Sequence, residues 1–162
     1  MTKKSRLLSL LLAFVMLFSA VGIGSNAYAA STTPYSCYTA VSRAYGKKFP
    51  LAKGNSTLSS SELGVPKKCY VKCYGKKKGS SRQKYMLYVV QAKSSKDVKT
   101  IKSRLNSYVK NEQRSMNNYL SSTGKKLYKN AKVGSKGKYV YFVMLDTSSN
   151  KKAVNAIKKA IK

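Results

Sequence analysis

Two apolar runs, residues 85–90 from Tyr85 to Val90 and residues 139–145 from Tyr139 to Leu145, constrain the fold most. Both are rich in β-branched and aromatic residues and too short for a typical helix, so each reads as a strand. Side chains alternate between the two faces of a strand, and neither run offers a polar position for water to meet. Both faces of these strands therefore need cover. The second face falls to a helix expected at 35–45 or, failing that, to another molecule.

The remaining segments arrange themselves around that pair. Tyr38, Val41, Ala44 and Tyr45 recur at helical spacing after Thr33-Pro34, and Gly46 is placed to stop the helix. Residues 47–57 read as a loop. Ser59 and Glu62 form a capping box, flanked by Leu58 and Leu63 as a hydrophobic staple, with Gly64 as the stop of one short turn. Residues 67–74 read as a strand with Cys69, Val71 and Cys73 on one side and Tyr70, Lys72 and Tyr74 on the other. Residues 75–83 then form a charged loop leading into the 85–90 strand.

A second capping box, Ser94 and Asp97, opens a helix of about 25 residues that Gly124 ends. Residues 129–133 read as a short strand, 134–137 as a turn, and 139–145 as the second central strand. Ser148, Ser149 or Asn150 caps a last helix whose apolar face carries Val154, Ile157 and Ile161. That helix has too few residues and no aromatic anchor to favour a membrane surface over the sheet. The order is helix, ββα, ββα. An α+β fold follows, with an antiparallel sheet of about four strands and helices mainly on one face.

The N-terminus carries the pattern of a secretory signal. Lys3, Lys4 and Arg6 precede an apolar stretch from Leu7 to Val21, and Ala27-Tyr28-Ala29 supplies a small-x-small cleavage site. The apolar stretch is short of the ~20 residues a bilayer-spanning helix needs. Residues 1–29 are thus expected to be a cleaved signal peptide and 30–162 a single secreted or extracytoplasmic domain. Three cysteines remain, Cys37, Cys69 and Cys73, and an odd count allows one internal bridge at most. Two cysteines four residues apart on one strand lie ~13 Å from each other, so a bridge would join Cys37 to Cys69 or to Cys73.

Lys and Arg number 33 against four Asp and Glu, His is absent, and the formal charge is +29. A fold this basic attracts polyanions and is stabilised when they or salt offset its self-repulsion. Three thiols with no His do not complete a tetrahedral metal shell, so no metal or other cofactor is expected. Glu62 and Asp97 are taken by caps, and no carboxylate pair, phosphate loop or nucleophile elbow stands out. The residues therefore favour binding over catalysis; a thiol-dependent enzyme built on a cysteine beside Lys68 and Lys72 is the remaining catalytic option.

Lys67, Lys68, Lys72, Lys76, Lys77, Lys78, Arg82 and Lys84 crowd the first expected hairpin, and Lys125, Lys126, Lys129, Lys132, Lys136 and Lys138 the second. Side by side, the hairpins would give one sheet end a dense positive field. The expected partner is an anionic wall polymer or an anionic membrane surface, with docking on a protein through an exposed sheet face as the alternative. Lys far outnumbers Arg, whereas bidentate recognition of bases and phosphates favours Arg, so nucleic acid would be held only nonspecifically.

The chain also resembles a bacterial family known only as a domain of unknown function. The likeness runs over most of residues 36–162 through the short Ser59–Gly64 turn, Val90-Gln91-Ala92-Lys93 after the first central strand, Asn111-Glu112-Gln113 in the long helix, and Gly137-Lys138-Tyr139-Val140 leading to the last strand. The resemblance implies an exported, often lipid-anchored domain of Gram-positive bacteria and carries no established activity. Here the chain departs from the lipid-anchored pattern: Cys37 lies several residues beyond the cleavage site and lacks lipobox residues before it.

Overall fold

The computed structural model of the protein describes residues 31–162, so the expected signal peptide at 1–29 lies outside the described residues. The two apolar runs become neighbouring central strands, β3 (Gln83–Ala92) and β5 (Tyr139–Met144), paired antiparallel with Val89 opposite Tyr141. Three more strands flank them: β1 (Ser56–Thr57), β2 (Tyr70–Ser80) and β4 (Lys132–Lys136). The order across the sheet is β1-β2-β3-β5-β4, and every pairing is antiparallel.

Alternation along the central strands builds two cores. Met86, Tyr88, Val90, Val140, Phe142 and Met144 point to one face, where α2 (Ser95–Ser115) and α3 (Ser122–Asn130) cover them through Ile101, Leu105, Leu127 and Tyr128. Leu87, Val89, Tyr141 and Val143 point to the other, under Cys37 and Val41 of α1 (Pro34–Tyr45) and Ala153 and Ile157 of α4 (Lys151–Ala160). The α+β class and the N-terminal helix are as the sequence predicts. The sheet, however, has five strands, and the helices divide two to a face instead of gathering mainly on one. The reason is the pair of runs itself: two fully apolar strands cannot leave either face to water.

Helix ends follow side-chain chemistry. Thr33 caps α1 by accepting from the Ser36 amide at 3.0 Å, while the Ser36 hydroxyl accepts from the Thr33 amide at 2.9 Å, and Pro34 begins the helix. Ser94 accepts from the Asp97 amide and donates to the Asp97 carboxylate at 2.6 Å, opening α2 as expected. That helix ends at Ser115 rather than running on to Gly124. Ser121 starts α3, accepting from the Gly124 amide at 3.0 Å. Gly124 is thus inside a helix that the sequence did not reveal, at a point where a Cβ would stand 2.2 Å from the Arg82 carbonyl.

The first hairpin is longer than expected. Residues 75–80, read as loop, continue β2, and the turn shrinks to Ser81-Arg82 because Lys76, Lys77 and Lys78 pair with Leu87, Met86 and Tyr85. Gly75 permits this: a Cβ there would meet the Leu58 carbonyl at 2.6 Å and the Tyr88 ring at 2.7 Å. A bulge at Val71 resets the faces, so Tyr70 lies over the α2 side and Tyr74 over the α1 side. The second hairpin turns at Gly137-Lys138, and Gly134 to Lys136, read as turn, belong to β4. With β3 and β5 antiparallel, the two hairpins lie side by side but point in opposite directions.

Candidate polyanion-binding surfaces

That opposition decides where the lysines go. Lys132 at the start of β4, opposite Val143 and so in line with Leu87, stands near the middle of the sheet, whereas Lys77, Lys78, Arg82 and Lys84 of the first hairpin gather at the Ser81-Arg82 end. The start of α3 joins them, because the Ser121 amide donates to the Arg82 carbonyl at 3.0 Å, so Lys125 and Lys126 sit beside the turn. Lys129 follows on the exposed side of α3. These three are helical residues, not members of the second hairpin as the sequence reading had them.

Two cations at this end are neutralised. Lys77 pairs with Glu62 at 2.6 Å and Lys84 with Glu112 at 3.7 Å, and these are the two ion pairs among the described residues. The other carboxylates are engaged elsewhere: Asp146 accepts the Tyr45 hydroxyl, and Asp97 is held by Ser94. Accordingly the Ser94 hydroxyl keeps the Asp97 carboxyl below the usual range.

The opposite end collects a second group. Lys138 lies in the turn, its carbonyl accepting from the Ala92 amide at 2.8 Å. Lys67 and Lys68 form the 3-10 turn Lys67–Cys69 just before β2, and the Cys69 carbonyl accepts from the Lys93 amide at 3.1 Å. The C-terminal end of α4 arrives here too, since Lys136 donates to the Lys158 carbonyl at 2.8 Å and to that of Ile161. Lys136 is therefore partly a helix cap. Lys93 joins this group, as do Lys158, Lys159 and Lys162, which the sequence marks as the polar side of the last helix but does not place with the hairpin lysines. Their charge was visible; the topology that gathers them was not. Lys72, opposite Gln91, shares a row of the sheet with Lys136 and belongs to this end, whereas Lys76, opposite Leu87, shares the mid-sheet row of Lys132, its ammonium 5.9 Å from the centre of the Tyr74 ring.

All three cysteines are free thiols. Cys37 is buried in the core under α1, whereas Cys69 belongs to the core on the other face and Cys73, opposite Val90, points the same way. The sheet separates Cys37 from both, so the bridge from Cys37 to Cys69 or Cys73 does not form. Burial pushes the Cys37 thiol up to about 11 and raises Cys69 as well. Cys73 is exposed, with its sulfur 3.2 Å from the Ser60 hydroxyl, which in turn lies 2.8 Å from the Tyr88 hydroxyl. A shallow groove of about 480 Å³ runs past it, lined by Leu58, Val65, Tyr70 and Gly75 and edged by Lys67. No cluster of three or more His, Cys, Asp or Glu able to hold a metal occurs among the described residues.

No curated protein and no solved structure matches the chain. A family model does match, over residues 46–145, which takes in the whole sheet with α2 and α3 and leaves out α1 and α4, the two helices that cover one face. The matched stretch spans well over half of the chain and its five-stranded frame, and the protein accordingly belongs to the family described as a domain of unknown function, DUF4358.

Proposed function

We propose that the protein is a secreted or cell-wall-associated domain that binds anionic surfaces, wall polymers or anionic lipid, through its lysine clusters, without turnover. The observation that carries this reading is the scarcity of internal partners. Against 33 Lys and Arg stand four carboxylates, and two of those make the ion pairs found among the described residues. Most ammonium groups thus face solvent with no counter-charge of the protein's own. Near an anionic bilayer each Lys or Arg contributes about 1 kcal/mol, so five engaged together give a weak but real attachment. The leader-like N-terminus supports export, and the resemblance to exported Gram-positive domains points the same way. No described helix is long and apolar enough to cross a membrane.

Docking on a protein through a bare sheet face has less to rest on, because α1 and α4 cover one face and α2 and α3 the other. The test is retention on phosphatidylglycerol vesicles and on purified wall polymer across a salt series. Retention that falls steeply with salt is expected. Absence of retention at low salt on both would end the proposal.

A further inference from the structure

We propose that the open edge of β2, together with the groove beside Cys73, takes up an extended acidic peptide segment of another protein as an added strand. The inference goes beyond the anionic-surface reading and does not rest on it. β2 runs for 11 residues, but its outer neighbour β1 has only two, and they stand opposite Lys76 and Lys77. β1 stops there because Ser59, just past it, turns the chain inward by accepting from the Glu62 amide at 3.2 Å. Among the described residues no strand therefore lies outside Tyr70–Tyr74, an edge of roughly 13 Å at ~3.3 Å per residue. Backbone groups along a strand point alternately to its two sides. The Gly75 carbonyl accepts from the Leu58 amide at 3.0 Å on the β1 side, so the amide and carbonyl of Cys73, two residues back, point outward on that same side. Val71 to Cys73 are exposed, Val71 at 57%.

The surroundings of that edge specify the newcomer. Cys73 faces the α2 side, where Leu58 and Val65 floor the groove, so a residue paired with Cys73 directs an apolar side chain into it. The residues on either side of that one point to the α1 side, where Lys72 and Lys76 flank Tyr74. Neither lysine has an ion-pair partner among the described residues, since Glu62 is held by Lys77. Carboxylates alternating with apolar residues meet both demands. A lysine on an edge strand and a bulge such as that at Val71 keep strands of like charge away, but the lysine attracts an acidic one. A second copy of this chain fits less well. Centred on Cys73, its Val71 would come opposite Gly75, whose outward carbonyl Leu58 already occupies, and its β4 edge would bring Lys132 and Lys136 toward Lys72.

The experiment uses the protein made in a secreting bacterial host, so that its leader is processed, and kept reduced. Fluorescein-labelled Glu-Val-Glu-Val-Glu is titrated at physiological salt and its binding read by anisotropy. Two controls run beside it: Glu-Pro-Glu-Pro-Glu, equal in charge but lacking the amides that the Cys73 carbonyl would accept from, and Gln-Val-Gln-Val-Gln, equal in apolar pattern but uncharged. The first peptide should bind at least tenfold more tightly than either control, and its addition should slow amide exchange at Val71–Cys73. Lys72→Glu should cut the affinity at least tenfold, and so should Cys73→Pro, which removes the outward amide. Circular dichroism checks that each variant is folded, and Lys72→Glu with the exchange pattern carries the test where the proline does not fold. Equal binding of the proline peptide, or no protection at Val71–Cys73, would reduce the interaction to charge alone and overturn the added strand while leaving surface binding intact. Protection at Val71–Cys73 that grows with protein concentration in the absence of peptide would assign the edge to a second copy and overturn it too. Vesicle retention that fails while the first peptide binds would overturn the anionic-surface reading only.

Discussion

Replacing Asn150 with alanine should be the most damaging single polar substitution in the domain. Asn150 is fully buried and precedes α4, yet its side chain does not cap that helix. Its oxygen accepts instead from the amides of Leu145 at 2.9 Å and Asp146 at 3.2 Å, and its nitrogen donates to the Asn130 carbonyl at 2.8 Å. One amide thus joins the end of β5, the end of α3 and the start of α4. Asn150→Ala strands three backbone groups, and at about 1 to 1.5 kcal/mol for each net hydrogen bond the loss sums to about 3 to 4.5 kcal/mol. That is a large part of the ~5 to 15 kcal/mol that holds a domain together. Urea unfolding followed by circular dichroism should show a midpoint lower by about 1.5 to 2.2 M for a slope near ~2 kcal/mol per M. Asn150→Asp restores the acceptor but sets a carboxylate against the Asn130 carbonyl, so it should fare no better. A loss under about 1 kcal/mol for Asn150→Ala would refute the reasoning, because the three groups would then have found other partners.

Three further outcomes are expected. Gly75→Ala drives a Cβ into the Leu58 carbonyl and the Tyr88 ring, and should lower stability by about 1 to 3 kcal/mol in the same urea assay; an unchanged midpoint would mean that the strand–loop contact is looser than described. Native protein treated with a thiol reagent should react rapidly at Cys73 alone, with Cys37 and Cys69 reacting only on unfolding, as peptide mapping would show. Alkali should destabilise the fold. An unfolded thiol ionises near ~8.5, the buried Cys37 near about 11. Its contribution is therefore complete below the unfolded value and is lost as pH rises toward 11, at up to about 1.4 kcal/mol per pH unit. Burial raises Tyr88 and Tyr128 in the same direction. Urea midpoints at pH 8.5 and 10.5 check the sign, and Cys37→Ala should make the slope shallower.

Patterns that depend on burial were legible in the sequence. The runs at 85–90 and 139–145 carry no polar residue, and both became central strands; Val41, Ile101 and Ile157 sit where their helical spacing puts them. Elements held by tertiary contact were not legible. Residues 76–80 are lysine, glycine and serine, a composition of loops, and become strand only because β3 supplies partners for their backbone. The helix from Ser122 to Asn130 is announced by few apolar residues and contains Gly124, whose small size serves the contact with Arg82. Two-residue β1 has no periodicity to read. For the candidate site, every lysine could be named in advance. Whether they converged depended on the relative direction of two hairpins, which no local pattern encodes.

The position of β4 at the margin of the sheet has a consequence for self-assembly. Among the described strands none lies beyond it, so one row of its amides and carbonyls is open to a newcomer. A second copy adding its own β4 antiparallel, centred on Gly134, would bring Lys132 of each chain opposite Lys136 of the other. Like charges meeting at both ends of so short a ladder discourage fibrous stacking. The deterrent is electrostatic, and a dense polyanion that neutralises those lysines is the agent that would lift it.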